Sequence, residues 1–336
     1  MASRFLGYAG VAATVLVGLL AAEWAVRLDS TSSYVAFRPA EMTSEDILSA
    51  KLNALSDQSG PTAVLVGDSV AYGGIMADHG YDDWRERDLS VAINAELEIA
   101  GEELRVANFA TNGLTPADTV QVVERSLKAG ADAVIIVVGL RGFSNSLNEP
   151  DARYTYSWGR PLMGREVSRQ ANSVWWTKPT TEFLLSAALD GPLKDVLTRL
   201  RASDQTEGPV LGTIQLLQVK RRLAELSFDP EQSFQAEAFS RTLSLAEAAS
   251  VPVVVVYATE NERVRPSFID DAPLAAARDS LEALIDDSRP QITYLGPNPA
   301  LSADLYVDHM HPTPDGYSVM AKTVAPALIK TLRRGS

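Results

Sequence analysis

The chain has 336 residues, 46% hydrophobic and 22% charged, which is enough apolar material for one large domain or two small ones. With 43 acidic against 30 basic residues, its formal net charge of −13 repels a phosphate backbone and argues against nucleic acid as a partner. It contains no cysteine, so disulfides, thiolate metal sites, iron–sulfur clusters and a cysteine nucleophile are excluded.

The first element is apolar. From Phe5 to Ala22 the chain carries no charge, and at helical rise the run is long enough to cross a bilayer. It reads as an export signal. Ala21, Ala22 and Glu23 make a poor small-x-small cleavage site, so the expectation is an uncleaved, single-pass anchor over 1–27 with an extracytoplasmic domain behind it. A cleaved signal, giving a secreted protein, is the other outcome. Trp24 then sits where an interfacial aromatic belongs. Residues 28–60 read as a tether with a helical stretch (SEDILSAKLNAL), and the domain is expected over 61–336.

After Pro61, short runs rich in β-branched residues alternate with stretches of helical periodicity. The runs are Thr62 to Val66, Leu104 to Phe109, Ala133 to Val138, Pro252 to Tyr257 and Gln291 to Leu295. Continuous apolar runs mean strands covered on both faces, as in a parallel sheet. Helical candidates fall at about 86–100, 115–130, 235–249, 273–287 and 314–333, the last with Thr313 as N-cap and Pro314 at its first position. The pattern predicts an α/β fold with a doubly wound, flavodoxin-like, five-stranded parallel sheet, helices on both faces and the site at the carboxyl ends of the strands. About 110 residues separate the third and fourth runs, far more than one helix needs. The excess, an insertion at about 144–230, carries Trp158, Trp175 and Trp176 with helical pieces near 181–201 and 212–226, and is expected either to cap the site or to pack as an inert addition.

Two constellations carry chemistry. Gly67-Asp68-Ser69 follows the first run directly, where a sharp strand-to-helix turn projects a serine hydroxyl from the sheet edge and aims a backbone N–H at an oxyanion. The G-x-S-x-G elbow of ordinary α/β-hydrolases is absent. Asp308 and His311 stand three residues apart between the fifth run and the last helix, a spacing that lets the carboxylate fix the imidazole tautomer and steady the imidazolium formed when His311 takes a serine proton. Two of the three histidines lie in this segment. A metal site from Asp308, His309 and His311 competes with this reading, but no second cluster completes a shell; no metal and no cofactor are expected.

These positions resemble the first and last sequence blocks of the SGNH (GDSL-like) hydrolase superfamily, and the chain resembles its bacterial membrane-anchored members. The resemblance covers the sheet-forming parts of 62–333. It implies Ser69 as nucleophile, His311 as base and Asp308 as orienting acid. The family's second block is matched over Asn108 to Thr115 (NFATNGLT), which implies the N–H of Gly113 as an oxyanion donor beside that of Ser69. The third block departs. Where the family reads Gly-x-Asn, this chain has Gly139-Leu140-Arg141-Gly142. Arg141 then either donates to the oxyanion or binds an anionic substrate, Asn145 swings in instead, or the hole is degraded. The resemblance implies a serine esterase acting on a small-molecule or glycan ester, with O-acetyl groups of envelope glycans as one substrate. The alternatives are a glycan O-acyltransferase using the same triad and a catalytically weak scaffold of polysaccharide assembly.

Overall fold

In a computed structural model of the protein, which describes residues 45–150, 152–155, 213–285, 289–297 and 301–335, five apolar runs form one parallel sheet. The strands are β1 (Thr62–Gly67), β2 (Arg105–Asn108), β3 (Ala133–Val138), β4 (Val253–Tyr257) and β5 (Ile292–Leu295). Their order is β2-β1-β3-β4-β5, the doubly wound arrangement expected from the sequence. In register, Val64 lies between Ala107 and Val134, and Val255 between Ile136 and Tyr294. Every residue of β1, β3 and β4 is buried, which is why these three runs are continuously apolar; the edge strands β2 and β5 are only partly covered.

The helices are α1 (Glu45–Ser56), α2 (Ser69–Tyr72), α3 (Leu89–Ile99), α4 (Pro116–Lys128), α5 (Thr213–Ala224), α6 (Phe234–Ala248), α7 (Asp271–Ile285) and α8 (Pro314–Gly335). Ala63 and Leu65 of β1, Ile135 and Val137 of β3, and Val254 and Val256 of β4 share a core with Leu89, Ile93 and Leu97 of α3 and Tyr317, Val324 and Leu328 of α8. Alternate strand residues point to the other face, where α4 packs against β1 and α6 against α4. Helix α3 begins at Leu89 rather than near 86, because Trp84–Glu86 forms a separate 3-10 turn and Asp88 then caps the helix through the N–H of Val91. Helix α8 starts as its sequence requires: Thr313 Oγ1 accepts the N–H of Gly316 at 3.1 Å.

The chain divides into two compact units, Met1–Ser49 and Ala50–Ser336. Of the first, only the opening of α1 is described. The second begins earlier than Pro61, since Lys51 Nζ donates to the carbonyl of Asn108 at 2.8 Å and Leu55 is buried. The expected anchor lies outside the described residues, and among the described residues no helix is long and apolar enough to cross a membrane. Within the insertion, α5 matches the helical piece expected at 212–226, while Trp158, Trp175, Trp176 and the piece at 181–201 lie outside the described residues.

Candidate active site

The serine turn is built by crowding. At Gly67 a Cβ would lie 2.8 Å from that of Ala71 and 2.9 Å from the carbonyl oxygen of Val137, so only glycine lets β1 end this close to β3. Asp68 then caps α2. Its Oδ1 accepts the N–H of Val70 at 3.0 Å, and its carbonyl accepts from Ala71 and Tyr72. Gly73, at φ +79°, closes the single turn by donating to the Ser69 carbonyl. Ser69 therefore opens a one-turn helix at the carboxyl edge of the sheet, next to the β1–β3 switch point.

The other half comes from the loop between β5 and α8. Asp308 Oδ1 accepts the backbone N–H groups of Met310 and His311 at 2.9 and 2.8 Å, so the carboxylate shapes the loop it sits in. His311 Nδ1 lies 2.7 Å from Asp308 Oδ2, and His311 Nε2 lies 2.8 Å from Ser69 Oγ. Residues 242 positions apart are thus joined in one hydrogen-bonded chain of carboxylate, imidazole and hydroxyl. Burial pushes the Asp308 carboxyl up, but the two neighbouring imidazoles, His309 and His311, outweigh it and hold the group well below the usual carboxylate range. His311 is the closer partner, since His309 Nδ1 stays 3.5 Å from the carboxylate. With an ionised carboxylate on Nδ1, the proton belongs there and Nε2 turns its lone pair to Ser69.

Two residues that the sequence did not single out hold these halves in place. Asn261, buried completely after β4, donates its side-chain amide to the Asp308 carbonyl at 3.0 Å and its N–H to the His309 carbonyl at 2.8 Å. Tyr317 in α8 donates its hydroxyl to the Val70 carbonyl at 2.6 Å, tying the helix that follows His311 to the helix that starts at Ser69. Burial pushes the Tyr317 phenol far up, so it stays a donor. A sequence signal existed only for Tyr317, as a large aromatic in the first turn of α8.

Beside the serine lies the loop after β2. Thr111 donates its N–H to the Gly67 carbonyl, and Gly113 adopts φ +70°, with its carbonyl held by Thr155 Oγ1 at 2.5 Å. Among the described residues, the backbone N–H groups of Ser69 and Gly113 have no protein acceptor. Arg141 stands on the 3-10 turn Leu140–Phe143, with Nη2 3.9 Å from Asp68 Oδ2. Asn145 is exposed on the next turn, where its N–H donates to Glu225 and its side chain accepts from Asn148. Asp308, His309 and His311 each offer one donor atom within 4.8 Å of the others, the spacing of a metal site. Both carboxylate oxygens and His311 Nδ1 are already engaged with one another, and no fourth protein ligand joins them among the described residues.

No family model and no curated protein matches the chain. Among solved structures, it is similar to a psychrotrophic esterase from Pseudoalteromonas sp., inhibited by monoethylphosphonate, at 10% identity over 81% of this chain and 98% of that one, with a TM-score of 0.40. A GDSL-like lipase from Bacteroides thetaiotaomicron matches at 12% identity over 84% and 97%, TM-score 0.41. A family two carbohydrate esterase from Cellvibrio japonicus matches at 12% identity over 82% of this chain and 62% of that one, TM-score 0.37. The chemistry of the site rests on its geometry.

Proposed function

We propose that the protein is a serine esterase that cleaves acyl esters through Ser69, His311 and Asp308. The observation that carries this reading is the continuous chain from Asp308 Oδ2 through His311 to Ser69 Oγ, with links of 2.7 and 2.8 Å. Both links lie within the reach that proton transfer needs. In the first step His311 Nε2 takes the hydroxyl proton as Ser69 Oγ bonds to the ester carbonyl carbon, and Asp308 stabilises the imidazolium. The negative oxygen of the tetrahedral intermediate meets the free N–H groups of Ser69 and Gly113. As the C–O bond breaks, His311 returns its proton to the departing alcohol, leaving an acyl-serine. Water, deprotonated by His311, then releases the acid and restores Ser69.

Arg141 is left outside the oxyanion hole in this proposal, which the free N–H groups of Ser69 and Gly113 already supply, while its Nη2 stands 3.9 Å from Asp68 Oδ2. Asn145 is left out as well, its side chain being engaged on another turn. The finer proposal is an O-acetyl esterase of envelope glycans, held at the extracytoplasmic face by an anchor over Phe5 to Ala22. The sequence supports it through that apolar run and through the tryptophans of the insertion, which suit a sugar platform. A fluorophosphonate probe, with the modified residue mapped by mass spectrometry, tests the core of the proposal. Labelling at Ser69 in the protein, lost in His311→Ala, is expected; labelling elsewhere, or none, refutes it. Product analysis with a glycan acceptor then separates hydrolysis from acyl transfer.

A further inference from the structure

Three partly buried arginines in this fold donate to close acceptors. Arg153 Nε donates to the Asn148 carbonyl at 2.9 Å, Arg265 Nε to Glu262 at 2.8 Å, and Arg278 Nη2 to Glu260 at 2.9 Å. Arg141 does not. Its side chain is 20% exposed and, among the described residues, its buried Nε has no partner and its carboxylate neighbour, Asp68, stays at 3.9 Å, beyond hydrogen-bond range. That buried Nε is an unfilled demand, because a buried donor left unmade costs free energy that an incoming acceptor recovers.

Its position decides what can fill the demand. The turn that carries Arg141 lies between the two loops of the esterase site. A Cβ on Gly142 would touch Pro116, at the start of the helix that follows the Gly113 loop, and one on Gly139 would touch Met310, beside His311. Asp68, the carboxylate it faces, directly precedes Ser69. Helix α5 packs on the same turn and brings a second cation, Arg222, whose pKa is lowered by partial burial and by the charge of Arg141. Among the described residues, these guanidiniums have one carboxylate at 3.9 Å, which leaves local positive charge within a chain of net −13. The surrounding negative field disfavours a long polyanion, so the deficit matches a single small anionic group.

We propose that Arg141 forms a subsite for a carboxylate-type group carried by the ester substrate. The inference rests on the esterase reading above and narrows its substrate class to acidic esters. A planar guanidinium suits a carboxylate or phosphate oxygen pair in bidentate fashion, which a lysine at this position cannot reproduce.

The test compares p-nitrophenyl acetate with mono-p-nitrophenyl succinate, which carries a carboxylate on the acyl side, and with 3-carboxy-4-nitrophenyl acetate, which carries it on the leaving group. The wild-type protein is expected to favour one of the acidic esters. In Arg141→Gln the preference, as the ratio of kcat/KM values, should fall about tenfold or more, with the loss in KM. Arg222→Gln should lower it by a smaller factor, and Arg141→Lys should recover only part of it. A fall in kcat of about a hundredfold on all three esters would overturn the inference and make Arg141 an oxyanion donor. An unchanged preference would also overturn it. Calorimetric titration of succinate and of inorganic phosphate into the wild type and Arg141→Gln reads the subsite without turnover. Succinate binding lost in the variant supports the subsite even where Ser69 proves unreactive, phosphate bound in preference to succinate overturns the carboxylate assignment, and equal heats in both proteins overturn the subsite itself.

Discussion

Asp308→Asn is the substitution in which the site's geometry makes its sharpest claim. The side chain keeps its shape, and Oδ1 can go on accepting the N–H groups of Met310 and His311 at 2.9 and 2.8 Å, so the loop should hold. The other position, now an amide NH2, would face His311 Nδ1 where Oδ2 stood at 2.7 Å. An amide donates there, so Nδ1 must become an acceptor and the ring proton must move to Nε2. That nitrogen lies 2.8 Å from Ser69 Oγ and would then offer a proton where a lone pair is needed. The loss expected from a wrong tautomer is about 10⁴ in kcat, or about 5.4 kcal/mol of transition-state stabilisation. The assay is p-nitrophenyl acetate hydrolysis at pH 7.5, with the thermal unfolding midpoint recorded for both proteins. A variant that stays within tenfold of wild-type turnover would refute the assignment of Asp308 as the group that sets the tautomer of His311.

Four further expectations follow from the same contacts. The depressed folded-state pKa of Asp308 means that its contribution to stability is complete above the unfolded value of about 3.9 and is lost as pH falls below it, so the gap between wild type and Asp308→Asn in urea denaturation should shrink from pH 6 to pH 3; a widening gap would contradict the direction of the shift. Gly67→Ala forces a Cβ against the Val137 carbonyl and the Ala71 methyl, and should cost about 1–3 kcal/mol with a matching fall in melting temperature; a variant as stable as wild type would show that the β1 turn has room to shift. Tyr317→Phe strips the buried Val70 carbonyl of its partner, so about 1–3 kcal/mol of stability should be lost in chemical denaturation, whereas an unchanged midpoint would mean that the tie between α2 and α8 is dispensable. EDTA should leave ester turnover unchanged, while inactivation reversed by zinc would replace the triad with a metal centre built on Asp308, His309 and His311.

The central strands were legible because burial on both faces leaves no polar position: Ala133–Val138 appears in the structure with the bounds its composition implies. The edge strands fall slightly short of their apolar runs, β2 pairing with β1 over Arg105–Asn108 and β5 with β4 over Ile292–Leu295. Ser69, Asp308 and His311 could be found because each sits at a strand-end loop and the i, i+3 spacing of the last two is a local property. What local pattern cannot carry is a contact that depends on where another loop arrives. Asn261 acts through the carbonyls of Asp308 and His309, some 47 positions away, and its own surroundings give no hint of that. The direction of the Arg141 side chain is of the same kind, being set by a 3-10 turn wedged between Pro116 and Met310. The sequence could place Arg141 near the site, but not face it to Asp68.

The 242 positions between Ser69 and His311 also set an order of events in synthesis. At about 5–20 residues per second, the serine leaves the peptidyl transferase centre roughly 12 to 50 s before the histidine that would activate it. During that interval the serine lacks the base that the proposed mechanism assigns to it. In the proposed mechanism Ser69 gains its base only when α8 closes over α2, with the Tyr317 hydroxyl seating on the Val70 carbonyl as the same loop delivers His311. A chain truncated anywhere between these two points carries Ser69 without His311 and Tyr317, and so lacks both the proposed base and the tie from α8 to the Val70 carbonyl.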